Sequence, residues 1–135
     1  FGTGTGVKSL WPSSFGPDDA GRRYVVSSAN GAACASHAQG ATAITSGALL
    51  NASAAGRAAL QLQSQSDARI TVIACGERWA TGSDIEDLLR PCVEDYLGAG
   101  AILSALPAGL RSPEAGVCAA AYRASATQIE QLVLE

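Results

Sequence analysis

The acids Glu77, Glu94 and Asp95 and the arginines Arg78 and Arg90 fall close together along the chain. Glu77 directly follows an apolar run that ends in glycine, Ile70-Thr71-Val72-Ile73-Ala74-Cys75-Gly76. Converging carboxylates suit a hard divalent cation such as Mg²⁺, which takes one or two of them and completes its shell with water and substrate phosphate. An arginine fork suits the oxyanion. A strand that stops at a glycine and delivers an acid is how α/β proteins present chemistry at the carboxyl edge of a sheet. Each residue also has a plainer reading. Glu77 fits an exposed loop acid paired with Arg78 or Arg90. Glu94 and Asp95 fit the first turns of a helix, where the dipole stabilises negative charge without any function. Successive helix residues point about 100° apart, so one of that pair faces a given site. Glu86 and Asp87 read as a solvated helix face.

A second group lies upstream, in Ser27-Ser28-Ala29-Asn30-Gly31, where a strand is expected to turn into a helix. Free backbone N–H groups and the positive end of the helix dipole meet at such a turn, so hydroxyls and an Asn amide can cradle a phosphate or sulfonate. The local alternative is that Asn30 caps the helix and Gly31 eases the turn. His37, the one histidine, reads as a structural or surface residue, and Asn51 as a helix cap. The glycines of Gly2-Thr3-Gly4-Thr5-Gly6 match no nucleotide-binding fingerprint, since no strand precedes them.

The elements that position these groups follow from periodicity. Strands are expected over 23–28, 41–46 and 69–75, and helices over 31–39, 51–65, 82–89, 91–106 and 113–133, the last with a break near Thr127. Pro91 and Pro113 suit first helical positions. Strands alternating with helices mean parallel βαβ units and a sheet covered on both faces. The expected fold is therefore α/β, a three-layer sandwich with a mostly parallel sheet. Residues 1–21 form an irregular N-terminal segment and 22–135 the α/β domain. Three strands are few for such a sheet, so the reading expects an incomplete portion of a larger fold.

Composition bounds the function. At 135 residues and 47% hydrophobic content the chain can bury one core. Its large side chains are few, two Trp, three Tyr and two Phe, so close backbone approach is expected. A net charge of -3 with no basic cluster argues against nucleic acid. No apolar run is long enough to span a bilayer and none reads as a signal core, which leads to the expectation of a soluble, cytoplasmic protein without a membrane partner. Cys34, Cys75, Cys92 and Cys118 form no C-x-x-C pair and read as small buried hydrophobes.

Six segments, taken in order, resemble the 2-phosphosulpholactate phosphatase family, magnesium-dependent acid phosphatases of coenzyme M biosynthesis. They are Leu10-Trp11-Pro12-Ser13-Ser14, 26–32 with Asn30-Gly31, Leu50-Asn51-Ala52-Ser53-Ala54, 72–79 with Gly76-Glu77-Arg78, 94–102 beginning Glu94-Asp95-Tyr96, and Ser112-Pro113-Glu114-Ala115. The resemblance implies an α/β sandwich that hydrolyses a phosphate ester of a small sulfonated or carboxylated acid. It implies Glu77 and Asp95 as catalytic residues, Glu77, Glu94 and Asp95 as ligands to Mg²⁺, and Ser28, Asn30, Gly31 and Arg78 as substrate-binding residues. Family members carry threonines where this chain has Ser27, Ser28 and Ala29. The alternative expectation is a noncatalytic anion-binding or assembly module. A homodimer, or pairing with flanking segments, is expected to cover the open sheet.

Overall fold

Alanine-rich helices carry few bulky side chains to hold them apart, and here three of them meet at small residues. The computed structural model describes residues 12–25, 28, 30–78 and 89–134. In chain order come turns of 3-10 helix at Pro12–Ser14 and Pro17–Asp19, α1 (Gly31–His37), a 3-10 turn at Leu49–Asn51 and α2 (Ala52–Ser64). Then follow β1 (Glu77–Arg78), β2 (Leu89–Arg90), α3 (Val93–Ser104), a 3-10 turn at Ala108–Leu110, α4 (Pro113–Ser125) and α5 (Ile129–Leu134).

Helix α3 is the hub. Leu97, Ala99 and Ala101 on it are buried, together with Ala52 of α2, Cys118 and Ala119 of α4, and Cys92 and Leu106 at its ends. A Cβ on Gly100 would sit 2.5 Å from the Cys118 carbonyl oxygen and 2.8 Å from Tyr122 Cβ, so only glycine lets α3 and α4 approach this closely. Gly56 does the same for α2 and the end of α3, where a Cβ would meet Ala105 Cβ at 2.8 Å. The Cys118 thiol donates to the Tyr96 carbonyl (3.4 Å) and Ser104 Oγ to the Ala119 carbonyl (3.3 Å), tying α4 to α3. At the far end of α3, the Arg111 guanidinium donates to the carbonyls of Ser104 (3.1 Å) and Leu106, oxygens that a helix terminus otherwise leaves unpaired.

Helix boundaries follow local chemistry. Pro113 occupies the first position of α4, and Ser112 Oγ accepts from the Ala115 N–H (3.3 Å). The break near Thr127 is real: a turn separates α4 from α5. Pro91, by contrast, does not open α3. Cys92 is extended (φ -113°, ψ 132°) because the chain is still leaving β2, and the helix starts at Val93. Asn51 sits at the cap position of α2 but turns its side chain backward, accepting from the Ala48 N–H (2.7 Å) and donating to the Ser46 carbonyl (3.4 Å). Of the helix expected over 82–89, residues 82–88 lie outside the described residues and Leu89 belongs to β2.

The parallel sheet is the main correction. Among the described residues the fold is helical with little strand, and the sole ladder is the antiparallel pair β1–β2, with Glu77 opposite Arg90 and Arg78 opposite Leu89. The described parts of 23–28, and all of 41–46 and 69–75, form neither helix nor ladder. A strand exists only when a neighbour takes its N–H and C=O groups, and an apolar run does not supply that neighbour. Their apolar side chains are correspondingly uncovered: Val25 is fully exposed, Ile44 50% and Ile73 56%.

The glycine contacts give opposite expectations for two alanine substitutions. Gly100→Ala is expected to destabilise by about 1–3 kcal/mol, because overpacking outweighs the helix-propensity gain. Gly116→Ala, in α4 with open space at its Cβ position, is expected to stabilise by about 0.5–1 kcal/mol. Urea midpoints at constant m-value check both.

Candidate functional site

The site is built on a single left-handed residue. Gly76 has φ +67°, and a Cβ there would lie 2.8 Å from the Arg90 carbonyl oxygen and 3.0 Å from Leu89 Cδ1. A glycine is required on both counts. The bend sets Glu77 into the ladder opposite Arg90, whose guanidinium donates to Glu77 Oε2. Both side chains are about half exposed (43% and 51%), so this ion pair orients Glu77 more than it stabilises the fold.

Two residues beyond β2 the first turn of α3 begins, carrying Glu94 and Asp95. Ligand atoms of Glu77, Cys92 and Glu94 lie within 4.8 Å of one another. The Asp95 carboxyl senses the Gly76 N–H and the charges of Glu94 and Glu77, so it belongs to the same cluster. The three acids separated along the sequence therefore meet where β1, β2 and the N-terminus of α3 join.

Electrostatics divide their roles. Asp95 is half-buried, and burial pushes its carboxyl above the usual carboxylate range; the Gly76 N–H opposes the shift, while the charges of Glu94 and Glu77 add to it. The Cys92 thiol is also pushed up, first by burial and then by Glu77 and Glu94, with Arg90 opposing. It is 5% exposed and donates to the Arg90 carbonyl at 3.6 Å. A thiol that stays protonated is no ligand for a hard cation. What remains, two exposed carboxylates side by side, matches the one or two carboxylates that Mg²⁺ accepts.

The other expected site residues are placed differently. Ser28 Oγ accepts from the Gly31 N–H (3.2 Å), so Ser28 supplies the cap of α1; Asn30, at the cap position, makes no side-chain cap bond. Arg78 stands opposite Leu89 in the ladder, and its side chain falls outside the described structure. The Cys75 thiol is pushed up by burial first, with Cys34 of α1 and the charge of Asp95 adding to the shift. Cys34 and Cys75 are half-buried, not the buried hydrophobes expected; Cys34 lines an open cavity with Ala33, His37, Ala38 and Ile73. His37 is exposed, with Nδ1 2.8 Å from the Ala33 carbonyl oxygen, as suits a structural residue. Sequence reasoning passed over Cys92 as a neighbour of the acids; its one signal was its place between Arg90 and Glu94, and only the fold of β1 onto β2 turns that into proximity to Glu77.

The family model for 2-phosphosulpholactate phosphatase matches residues 12–135, nearly the whole chain. Neither the curated proteins nor the solved structures give a match. No helix among the described residues is long and apolar enough to cross a membrane.

The raised Asp95 carboxyl carries a pH signature. A carboxyl whose folded pKa is raised contributes stability that is complete below its unfolded value of about 3.9 and is lost as pH rises through the folded value. In metal-free buffer, the Tm difference of Asp95→Asn minus wild type is therefore expected to be more positive at pH 7 than at pH 3. A difference independent of pH would remove the burial penalty assigned to Asp95.

Proposed function

Since the chain belongs to the 2-phosphosulpholactate phosphatase family, a family of phosphatase-type hydrolases, we propose that it hydrolyses a small phosphorylated acid, 2-phosphosulpholactate or a close relative, to the hydroxy acid and inorganic phosphate with Mg²⁺ as cofactor. The observation that carries this reading is the meeting of Glu77, Glu94 and Asp95 at one junction.

Glu77 and Glu94 would hold the Mg²⁺, which when bound would supply positive charge against the phosphoryl oxygens. Arg90 keeps Glu77 aimed into the junction. Asp95, with its raised carboxyl, is suited to take the proton from the attacking water and return one to the leaving oxygen, since transfer works best with a group whose pKa is moved toward the working pH. The first turn of α1, with Ser28, Asn30 and Gly31, and the Arg78 guanidinium receive the anionic end of the substrate. Selection of a sulfonated acid rests on these residues.

The finer architecture belongs to the same reading. On this reading segments 23–28, 41–46 and 69–75 pair into a parallel sheet of an α/β sandwich only on association, which covers Val25, Ile44 and Ile73 in a cytoplasmic homodimer. Light scattering is expected to give twice the chain mass; a monomer at micromolar concentration would refute the dimer.

Phosphate release from 2-phosphosulpholactate and from an aryl phosphate tests the chemistry. Activity is expected to require Mg²⁺ and to vanish with EDTA. Asp95→Asn is expected to lower kcat by about 100-fold or more, and Glu77→Gln to raise the Mg²⁺ concentration needed for half-activity. Hydrolysis indifferent to metal and to Glu77 would overturn the mechanism, and ligand binding without turnover would make the chain an anion-binding module.

A further inference from the structure

Cys92 takes no part in holding Mg²⁺, yet its sulfur sits among the ligand atoms. Cys92 Sγ and a carboxylate oxygen from each of Glu77 and Glu94 all lie within 4.8 Å of one another. Glu77 is in β1, Cys92 is the extended residue that leads into α3, and Glu94 is in the first turn of α3. The two carboxylates are on the exposed side, and Cys92, at 5% exposure, closes the inner side. Arg90 donates to Glu77 Oε2, the kind of outer partner that fixes a ligating carboxylate.

Two carboxylates and one thiol are a mixed set. Mg²⁺ uses oxygens alone. Zn²⁺, a borderline-soft ion, binds thiolate and carboxylate together, and it accepts three protein ligands with a fourth position left to water. Its bonds are about 2.3 Å to sulfur and about 2.0–2.2 Å to oxygen, which sets its ligand atoms roughly 3.5 Å apart, so modest side-chain rotation closes the cluster around it.

We propose that Glu77, Cys92 and Glu94 form a three-ligand site for Zn²⁺, and that the ion held there excludes Mg²⁺ from the acid cluster. As the S–Zn bond forms, the thiol proton passes to water. Two carboxylates and one thiolate against the dication leave one negative charge, which the Arg90 guanidinium beside Glu77 balances. The zinc site stands on its ligand set; the exclusion of Mg²⁺ rests on the function proposed above.

Binding to the whole chain tests the site without any activity. Zn²⁺ titrated against a chromophoric chelator, with a phosphine reductant present, is expected to bind at one ion per chain. Co²⁺ in its place is expected to show the near-ultraviolet charge-transfer band of a cobalt thiolate. Loss of an outer-shell partner already costs about 10–100-fold in metal affinity, so Cys92→Ser and Cys92→Ala are each expected to weaken zinc by about 100-fold or more and to abolish the band. Glu94→Gln, an exposed substitution that leaves the core untouched, is expected to weaken zinc by at least about 10-fold. Cys34→Ser and Cys75→Ser are expected to bind zinc as wild type does. No binding at micromolar Zn²⁺, a cobalt complex without the thiolate band, zinc affinity indifferent to Glu94→Gln, or affinity that survives loss of Cys92 and falls with Cys34 or Cys75 would overturn the site. Millimolar Mg²⁺ is expected to weaken the apparent zinc affinity, and zinc to suppress phosphate release at fixed Mg²⁺. Zinc affinity indifferent to Mg²⁺ would refute the exclusion and leave the site standing. A chain that binds zinc in this way and releases no phosphate with any metal would refute the phosphatase reading instead.

Discussion

The close approach of α3 to its neighbours is the constraint on which the rest of the structure depends. Gly100 lets α4 lie against it and Gly56 lets α2 reach its C-terminal end, in both cases where a single methyl group would collide with backbone or a neighbouring Cβ. With few aromatic side chains to fill space, the core is a set of small residues whose dispersion contacts exist only at short range. The register of α3 follows from these contacts. Its N-terminus, and hence Glu94 and Asp95, is placed by the same packing.

That placement concentrates negative charge. Glu77, Glu94 and Asp95 share a small volume with Arg90 as the cation paired to Glu77. The positive end of α3 offsets part of the repulsion, and the Gly76 N–H offsets another part at Asp95. Burial nonetheless drives the Asp95 carboxyl upward. A half-buried acid beside two exposed ones is a division of labour that a row of equivalent surface acids does not provide: the exposed pair can share a cation while the buried one titrates.

The backbone makes this division possible at little cost. Gly76 turns the chain through a conformation that other residues rarely adopt, and its N–H favours the charged form of Asp95. The residue before it, Cys75, has its thiol pushed up by burial, with Cys34 of α1 and the charge of Asp95 adding to the shift. Each connection is a short local contact, and together they relate parts of the chain far apart in sequence.

Much of this was written in the linear pattern. Helix α4, with Ser112 and Pro113 at its start and a break near Thr127, was legible because capping and proline geometry are local. So was the family, whose six segments lie in order, and so were the three acids, since a glycine at the end of an apolar run and a carboxylate pair at a helix start mark themselves. The expected parallel sheet is not found among the described residues, since strand pairing is a property of two segments and alternating apolar residues in one say nothing of a partner. Cys92 beside Glu77 and Arg111 capping α3 were invisible for the same reason. Sequence by itself determined what each stretch of backbone prefers and which groups it carries. Tertiary structure decided which groups meet, because meeting depends on helix approach distances and on one left-handed turn, set by packing among residues that are not neighbours in the chain.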